Sequence, residues 1–158
     1  MGKAPQQGDI AETEFLARAT KKGFRVCRPY GSDCPYDSIL DNGLIRYLVQ
    51  VKSTSALHHK NVYFARAGRR FGHRGLKIRP YAESEIDFLA AYVVPEDTWY
   101  FIPIGALGGV TSLYLYSRHH KKKGRWDPFR ENWDLFRQHQ TPDVSRLMHI
   151  GRDAPPRG

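Results

Sequence analysis

The stretch Ser38-Ile39-Leu40-Asp41-Asn42-Gly43-Leu44-Ile45 constrains this chain more than any other. Asn42-Gly43 lies between alternating apolar residues. A type I′ turn needs positive φ at both central positions, and Asn and Gly supply it at low cost. The pattern predicts a hairpin with those two residues as its loop. Asp41 then pairs with Leu44, Ile39 with Arg46 and Asp37 with Leu48. Side chains two apart on a strand share a face. Asp37 therefore joins Leu48, Gln50 and Lys52 on one face, with Gln50 its diagonal neighbour at roughly 7–8 Å. A carboxylate, an amide oxygen and an ammonium converge there, across a gap that one metal ion can bridge.

Upstream, Gly8-Asp9-Ile10-Ala11-Glu12 opens a helix expected to run to about Gly23. Asp9 suits an N-cap and Gly23 the C′ position. Phe15, Leu16 and Ala19 form its apolar face by three/four spacing. Glu14 falls over Arg18, a favourable pair one turn apart on the wet face. Glu12 lies one turn before the apolar face and points inward. Two readings of it stand. In one, Asp9 and Glu12 form a capping box. In the other, Glu12 leans from the helix toward Asp37 and Gln50.

The chain has 158 residues, a length for one domain with one core. That domain is expected over residues 8–140, with flexible ends at 1–7 and 141–158, where Pro, Gly and polar residues dominate. There is no apolar run of membrane-spanning length and no signal-peptide pattern, so the chain reads as soluble and cytoplasmic, with no membrane partner. Cys27 and Cys34 are too few for a disulfide framework or a zinc knuckle, and read as a strand-core thiol and a loop thiol.

The net charge of +9 and pI of about 9.7 fit a polyanionic partner. That charge is clustered: from Asn42 to Ala82 there is no acidic residue. Lys60, Arg66, Arg69, Arg70, Arg74, Lys77 and Arg79 mix there with Tyr63, Phe64, Phe71 and three histidines. Gly68, Gly72 and Gly75 make Ala67–Lys77 read as a mobile loop leaving the strand of Lys52. Such a loop can follow a phosphate backbone while its aromatics touch sugars or bases. The plainer alternative is a solvated basic loop. A second basic run, Arg118–Arg125, contains Lys121, Lys122 and Lys123 and suits phosphate contacts.

Ile86–Val94 and Trp99–Ile104 read as strands around a Pro95-Glu96-Asp97 turn, and Ser112–Tyr116 as another. Asp87 reads as a plain strand-start aspartate, with a partner supporting the site residues as the alternative, and Glu83 and Glu85 as surface charges. Trp126, Phe129, Trp133 and Phe136 recur at helical spacing after Asp127-Pro128 and predict a C-terminal helix whose stripe is packing rather than a cofactor box. His119-His120, Asn132 and His139 loosely echo an HNH nuclease, but the residues between do not form the hairpin that such a site requires. His58 and His59 are adjacent on a strand and should face opposite ways, which hinders joint chelation.

Pro35-Tyr36-Asp37 followed by Gln50-Val51-Lys52 resembles the PD-(D/E)XK nuclease superfamily. One residue separates the proline from the aspartate, and Gln50 takes the second carboxylate position. The stretches Tyr36–Leu40 and Gln50–Thr54 look most like bacterial endonucleases related to group I intron homing enzymes. The resemblance spans roughly residues 8–104. It implies an α/β, restriction-endonuclease-like core with a mixed central sheet flanked by helices, and a DNA endonuclease dependent on Mg²⁺, with Mn²⁺ as a substitute. Asp37, Glu12, Gln50 and the Val51 carbonyl would hold the metal. Lys52 would orient the attacking water or stabilise the pentavalent phosphate; as a plain residue it is an exposed strand lysine. Two cuts in a duplex need two sites, so a homodimer or homotetramer is expected. Homing, Holliday-junction resolution, restriction and repair stay open, as does a catalytically inactive nucleic-acid-binding module, because Gln50 removes a charge.

Overall fold

The computed structural model describes residues 3–31 and 33–138. A long helix, α1 (Lys3–Lys21), precedes β1 (Arg25–Cys27), β2 (Ser38–Asp41), β3 (Arg46–Thr54), β4 (Leu57–His59), β5 (Val62–Arg66), β6 (Arg69–Phe71), β7 (Lys77–Arg79), β8 (Phe88–Val93) and β9 (Thr98–Pro103). A single helical turn, α2 (Ile104–Leu107), leads to β10 (Ser112–Tyr116). The central sheet has the order β1-β2-β3-β8-β9. β3 and β8 run parallel and the other neighbours antiparallel, which makes the sheet mixed, as expected. A second sheet has the order β10-β5-β4, and β6 pairs only with β7.

The hairpin forms, with its turn moved by one residue. Asp41 pairs with Arg46 and Ser38 with Val49, so Gly43-Leu44 is the loop. Only Gly43 has positive φ there, at 94°, whereas a type I′ turn would need two such residues. Asn42 acts through its side chain instead: Oδ1 accepts from the N–H groups of Leu44 and Ile45 at 2.9 and 2.8 Å. Moving a turn by one residue moves every cross-strand partner by two. Since the side-chain period is also two, each residue keeps its face. The next step beyond Ser38–Val49 sets Asp37 opposite Gln50 rather than diagonal to it, and Asp37 N–H donates to the Val49 carbonyl at 2.9 Å.

The helix begins at Lys3, ahead of the expected cap, so Asp9 lies inside it and the capping box with Glu12 does not form. Residues 3–7 are accordingly helical rather than a loose end. The C-terminal end is as expected. Gly23 has φ 89°, and the Phe24 N–H returns to the Ala19 carbonyl at 3.1 Å. Ala11, Phe15 and Ala19 are buried along one face of the helix. Phe15 packs against Trp99, Phe101 and Trp133 at ring-centroid distances of 5.7, 6.4 and 6.1 Å. Burying such a ring contributes about 1.5–3 kcal/mol.

Trp126, Phe129, Trp133 and Phe136 are all buried, as packing residues should be, but they do not lie on one helix. Phe129 lies in one short 3-10 turn, Asp127–Phe129, which Trp126 immediately precedes, and Trp133 and Phe136 lie in a second, Trp133–Arg137. The break follows from Arg130 being extended and Glu131 having φ 50°, with its N–H bonded to the Trp99 carbonyl at 2.8 Å. Contact with β9 outweighs helical spacing. Cys27 is exposed on the edge strand β1 and is no core thiol. No described helix is long and apolar enough to cross a membrane.

Candidate active site

Three elements bring the expected side chains together. Asp37 immediately precedes β2, β3 carries Gln50, Val51 and Lys52, and α1 brings Glu12 over them. Asp37 Oδ2 accepts from the Val51 N–H at 2.8 Å and from the Gln50 amide nitrogen in a short bond. The same amide nitrogen donates to the Val51 carbonyl at 3.1 Å. Glu12, Asp37, Gln50, Val51 and Lys52 line one recess of about 380 Å³, joined by Gln7, Gly8 and Ser53.

Burial raises the pKa of Asp37, against the pull of the Val51 N–H, Lys52, Arg28 and Gln50. Burial also raises Glu12, reinforced by repulsion from Asp37. The two carboxylates therefore feel each other, which favours the inward reading of Glu12. Lys52 is lowered by burial, while Asp37 and Glu12 draw it back up.

Arg28 had no motif to reveal it. It follows β1 and donates to Glu12 Oε2 at 2.5 Å. Its charge lowers the pKa of both Glu12 and Asp37. Tyr81 likewise had no site role assigned from the sequence. It is buried, and its hydroxyl pKa is pushed up to about 12 by desolvation and by the nearby Asp37 charge.

Gln50 and Lys52 also line a second recess of about 370 Å³. Arg66, Arg69 and Arg70 give it a cationic lining, together with Tyr81, Cys34 and Pro35. The carboxylate recess and the cationic recess thus share two residues. Lys60, Arg74, Lys77, Arg79, Lys121, Lys122 and Lys123 line neither.

The glycine-rich stretch is not a loose loop. Arg69 pairs with Arg79 and Phe71 with Lys77 in the β6–β7 hairpin, which follows β5 rather than the strand of Lys52. Arg74 takes a left-handed conformation at φ 56° at its tip. Glu85, expected at the surface, anchors this hairpin. It accepts two bonds from Arg79, at 2.7 and 2.8 Å, one from the Ala82 N–H at 2.9 Å, and a short one from Arg69. These contacts hold its pKa down at about 2. Two of the expected phosphate contacts, Arg69 and Arg79, are therefore partly neutralised from within. Asp87 is structural: Oδ2 accepts from the Leu48 N–H at 2.7 Å.

Among the described residues the HNH arrangement does not assemble. His120 Nδ1 bonds within its own turn to Lys122, and Asn132 donates to the Pro128 carbonyl. His139 and the tail 141–158 lie outside the described residues. His58 and His59 do not face apart: a register shift in β4 brings their rings within 4.1 Å. Among the described residues no three of His, Cys, Asp and Glu gather as a metal cluster, so other oxygens, from amide, carbonyl, water or phosphate, would have to complete a metal's shell here.

Known proteins resemble this chain in sequence and in fold. The family model described as PD-(D/E)XK endonuclease matches residues 3–135. Among solved structures, the bacterial homing endonuclease I-Ssp6803I is 30% identical, with a TM-score of 0.75, covering 85% of this chain and 93% of its own. The Holliday junction resolvase Hjc of Archaeoglobus fulgidus is 19% identical, with a TM-score of 0.45, covering 70% of this chain and 84% of its own. No curated protein matches the chain.

Proposed function

Since the chain belongs to the PD-(D/E)XK endonuclease family, we propose that it is a Mg²⁺-dependent DNA endonuclease, with Mn²⁺ as a working substitute. The carrying observation is the shared recess of Glu12, Asp37, Gln50, Val51 and Lys52 beside a recess with a cationic lining. Likeness to a protein described as a bacterial homing endonuclease favours the homing role within that class.

The donor set suits the ion. Asp37, Glu12 and the Val51 carbonyl offer oxygen, the ligand a hard divalent cation prefers. The Gln50 amide nitrogen bridges Asp37 Oδ2 and the Val51 carbonyl, marking a position where positive charge is already welcome between two oxygens. Rotating that amide by half a turn exchanges its nitrogen for Oε1. When bound, the ion would polarise the phosphodiester and lower the pKa of an attacking water.

The protein's own groups do the rest. Lys52 holds positive charge against the reacting phosphate, with Asp37 and Glu12 sustaining its protonation against burial. Arg66 and Arg70 seat a neighbouring phosphate in the adjoining recess. With only two carboxylates and a neutral Gln50, the free protein binds metal weakly and gains affinity once DNA phosphate completes the shell. A homodimer or homotetramer supplies the second site that a double-strand cut requires, and the enzyme acts in the cytoplasm.

Supercoiled plasmid incubated with and without Mg²⁺, followed by mapping of cut positions, tests this reading. Nicking or linearisation that needs the metal and disappears in Asp37→Ala is expected. DNA binding with no cleavage under any divalent ion would replace it with the inactive-module reading, for which the neutral Gln50 is the motive.

A further inference from the structure

The outer face of the β10-β5-β4 sheet carries a row of rings with no role in the recesses. Alternation along the strands separates two faces. Tyr63, Ala65, Leu113 and Leu115 are buried beneath. Phe64, Arg66 and Tyr114 face outward, and Tyr114 is 44% exposed. The β4 register shift adds His58 and His59 to this surface. The rings form a continuous chain: His59 to His58 at 4.1 Å, His58 to Tyr114 at 4.9 Å, and Tyr114 to Phe64 at 5.8 Å.

Two further observations say what this row meets. First, both pieces of chain that build the sheet lack acidic residues, over 42–82 and over 98–126. Glu96, between these pieces, spends its carboxylate on Tyr63, a residue of the buried face, and on the Arg118 N–H. Second, Arg66 and Phe64 are two apart on β5 and share the outer face, and Arg66 also lines the cationic recess beside Gln50 and Lys52. The aromatic row is therefore continuous with the cleft.

We propose that this face binds single-stranded nucleic acid, holding an unpaired stretch as it leaves the cleft by stacking bases on Tyr114, Phe64 and His58. The inference rests on the nuclease reading of the cleft itself. A duplex keeps its bases inside and is gripped through rows of phosphates. This face instead offers ring surfaces, with cations only at its rim, Arg66 at one end and Lys60 at the β4–β5 turn. That is the pattern of a sequence-tolerant stacking platform.

Fluorescence anisotropy with a labelled fifteen-nucleotide oligo-dT and with a duplex hairpin, both in EDTA, tests the proposal on the full chain. Tyr114→Ala should weaken oligo-dT binding by about five- to a hundredfold. Tyr114→Phe should retain it. Duplex binding and Mg²⁺-dependent plasmid nicking should stay within twofold in both variants. Unchanged oligo-dT affinity in Tyr114→Ala, or an equal loss on both DNAs, overturns the proposal and leaves the nuclease reading intact. Ring-dependent oligo-dT binding in a protein that never nicks DNA supports it while removing the nuclease reading. Sedimentation velocity guards the remaining alternative: an oligomer that dissociates in Tyr114→Ala marks the face as an interface between copies and overturns it.

Discussion

Gln50 and Asp37 are hydrogen-bonded across β3 and β2, and the Gln50 amide nitrogen that makes this bond also donates to the Val51 carbonyl at 3.1 Å. A neutral donor at this position does what a second carboxylate cannot do without a metal: it satisfies Asp37 rather than repelling it. Burial already raises the pKa of Asp37, and a third acid beside it and Glu12 would add to that cost.

Gln50→Glu should therefore exchange metal-free stability for metal affinity. The half-saturating Mg²⁺ concentration for cleavage should fall, and the melting temperature without metal should drop and recover on adding Mg²⁺. A titration followed by nicking and thermal melts reads both. An unchanged or higher metal requirement would mean that position 50 lies outside the coordination shell.

Asp37→Ala should abolish cleavage and spare DNA binding. The buried Val51 N–H loses its acceptor, which costs at most about 1–3 kcal/mol. Removing a desolvated carboxylate offsets part of that. Cleavage, anisotropy and melting measured on one preparation separate a folded, inactive, DNA-binding protein from an unfolded one. Full activity in the folded variant would sink the site assignment.

Lys52 distinguishes chemistry from grip. Lys52→Ala should lower the single-turnover cleavage rate by orders of magnitude with little change in affinity, because the ammonium acts on charge that develops at the reacting phosphate. A fall in affinity at a preserved saturating rate would transfer the catalytic role elsewhere.

The local pattern around residues 37–52 was legible because period-two alternation survives an error in the turn. The turn lies one residue beyond the Asn42-Gly43 that local sequence predicts, yet Asp37, Gln50 and Lys52 keep their common face, since partners shift in steps of two. The long helix was legible because burial repeats at its period, whereas β8 and β9 are buried on both faces and read as continuous apolar runs. Tertiary contacts decided what was missed. Glu85 looked solvent-facing because nothing local indicates that Arg69 and Arg79 will close on it. Arg28 reaches Glu12 from sixteen residues away through a fold contact. The C-terminal stripe has helical spacing but is pulled into two turns by Glu131 bonding to β9. The packing fate of those residues was readable, whereas their backbone path was not.

The β6–β7 hairpin should be the chain's salt-sensitive grip. Arg70, Arg74 and Lys77 are not paired to Glu85, unlike Arg69 and Arg79. Changing those three together to Gln should reduce the log–log salt slope of DNA binding by up to about three units. Metal binding should not change. An identical slope before and after would leave Lys121, Lys122 and Lys123 as the main phosphate contacts.

Glu85 should make the same hairpin acid-sensitive. Its folded pKa is about 2, below the ordinary 4.5, chiefly because Arg79 bonds to its carboxylate. A depressed folded pKa means stability that is fully present above the unfolded value and lost as pH falls through the folded one. The Glu85 contribution should therefore hold above about pH 4.5 and decline toward pH 2. Glu85→Gln should be less stable than the parent near neutrality and converge on it in acid. It should also expose Arg70–Lys77 to trypsin, since Arg69 and Arg79 lose the carboxylate that ties the two strands together. Chemical denaturation at pH 7 and pH 2.5, with limited trypsin digestion at neutral pH, checks each part. An equal gap between parent and variant at both pH values would show that Glu85 acts through packing and not through its charge.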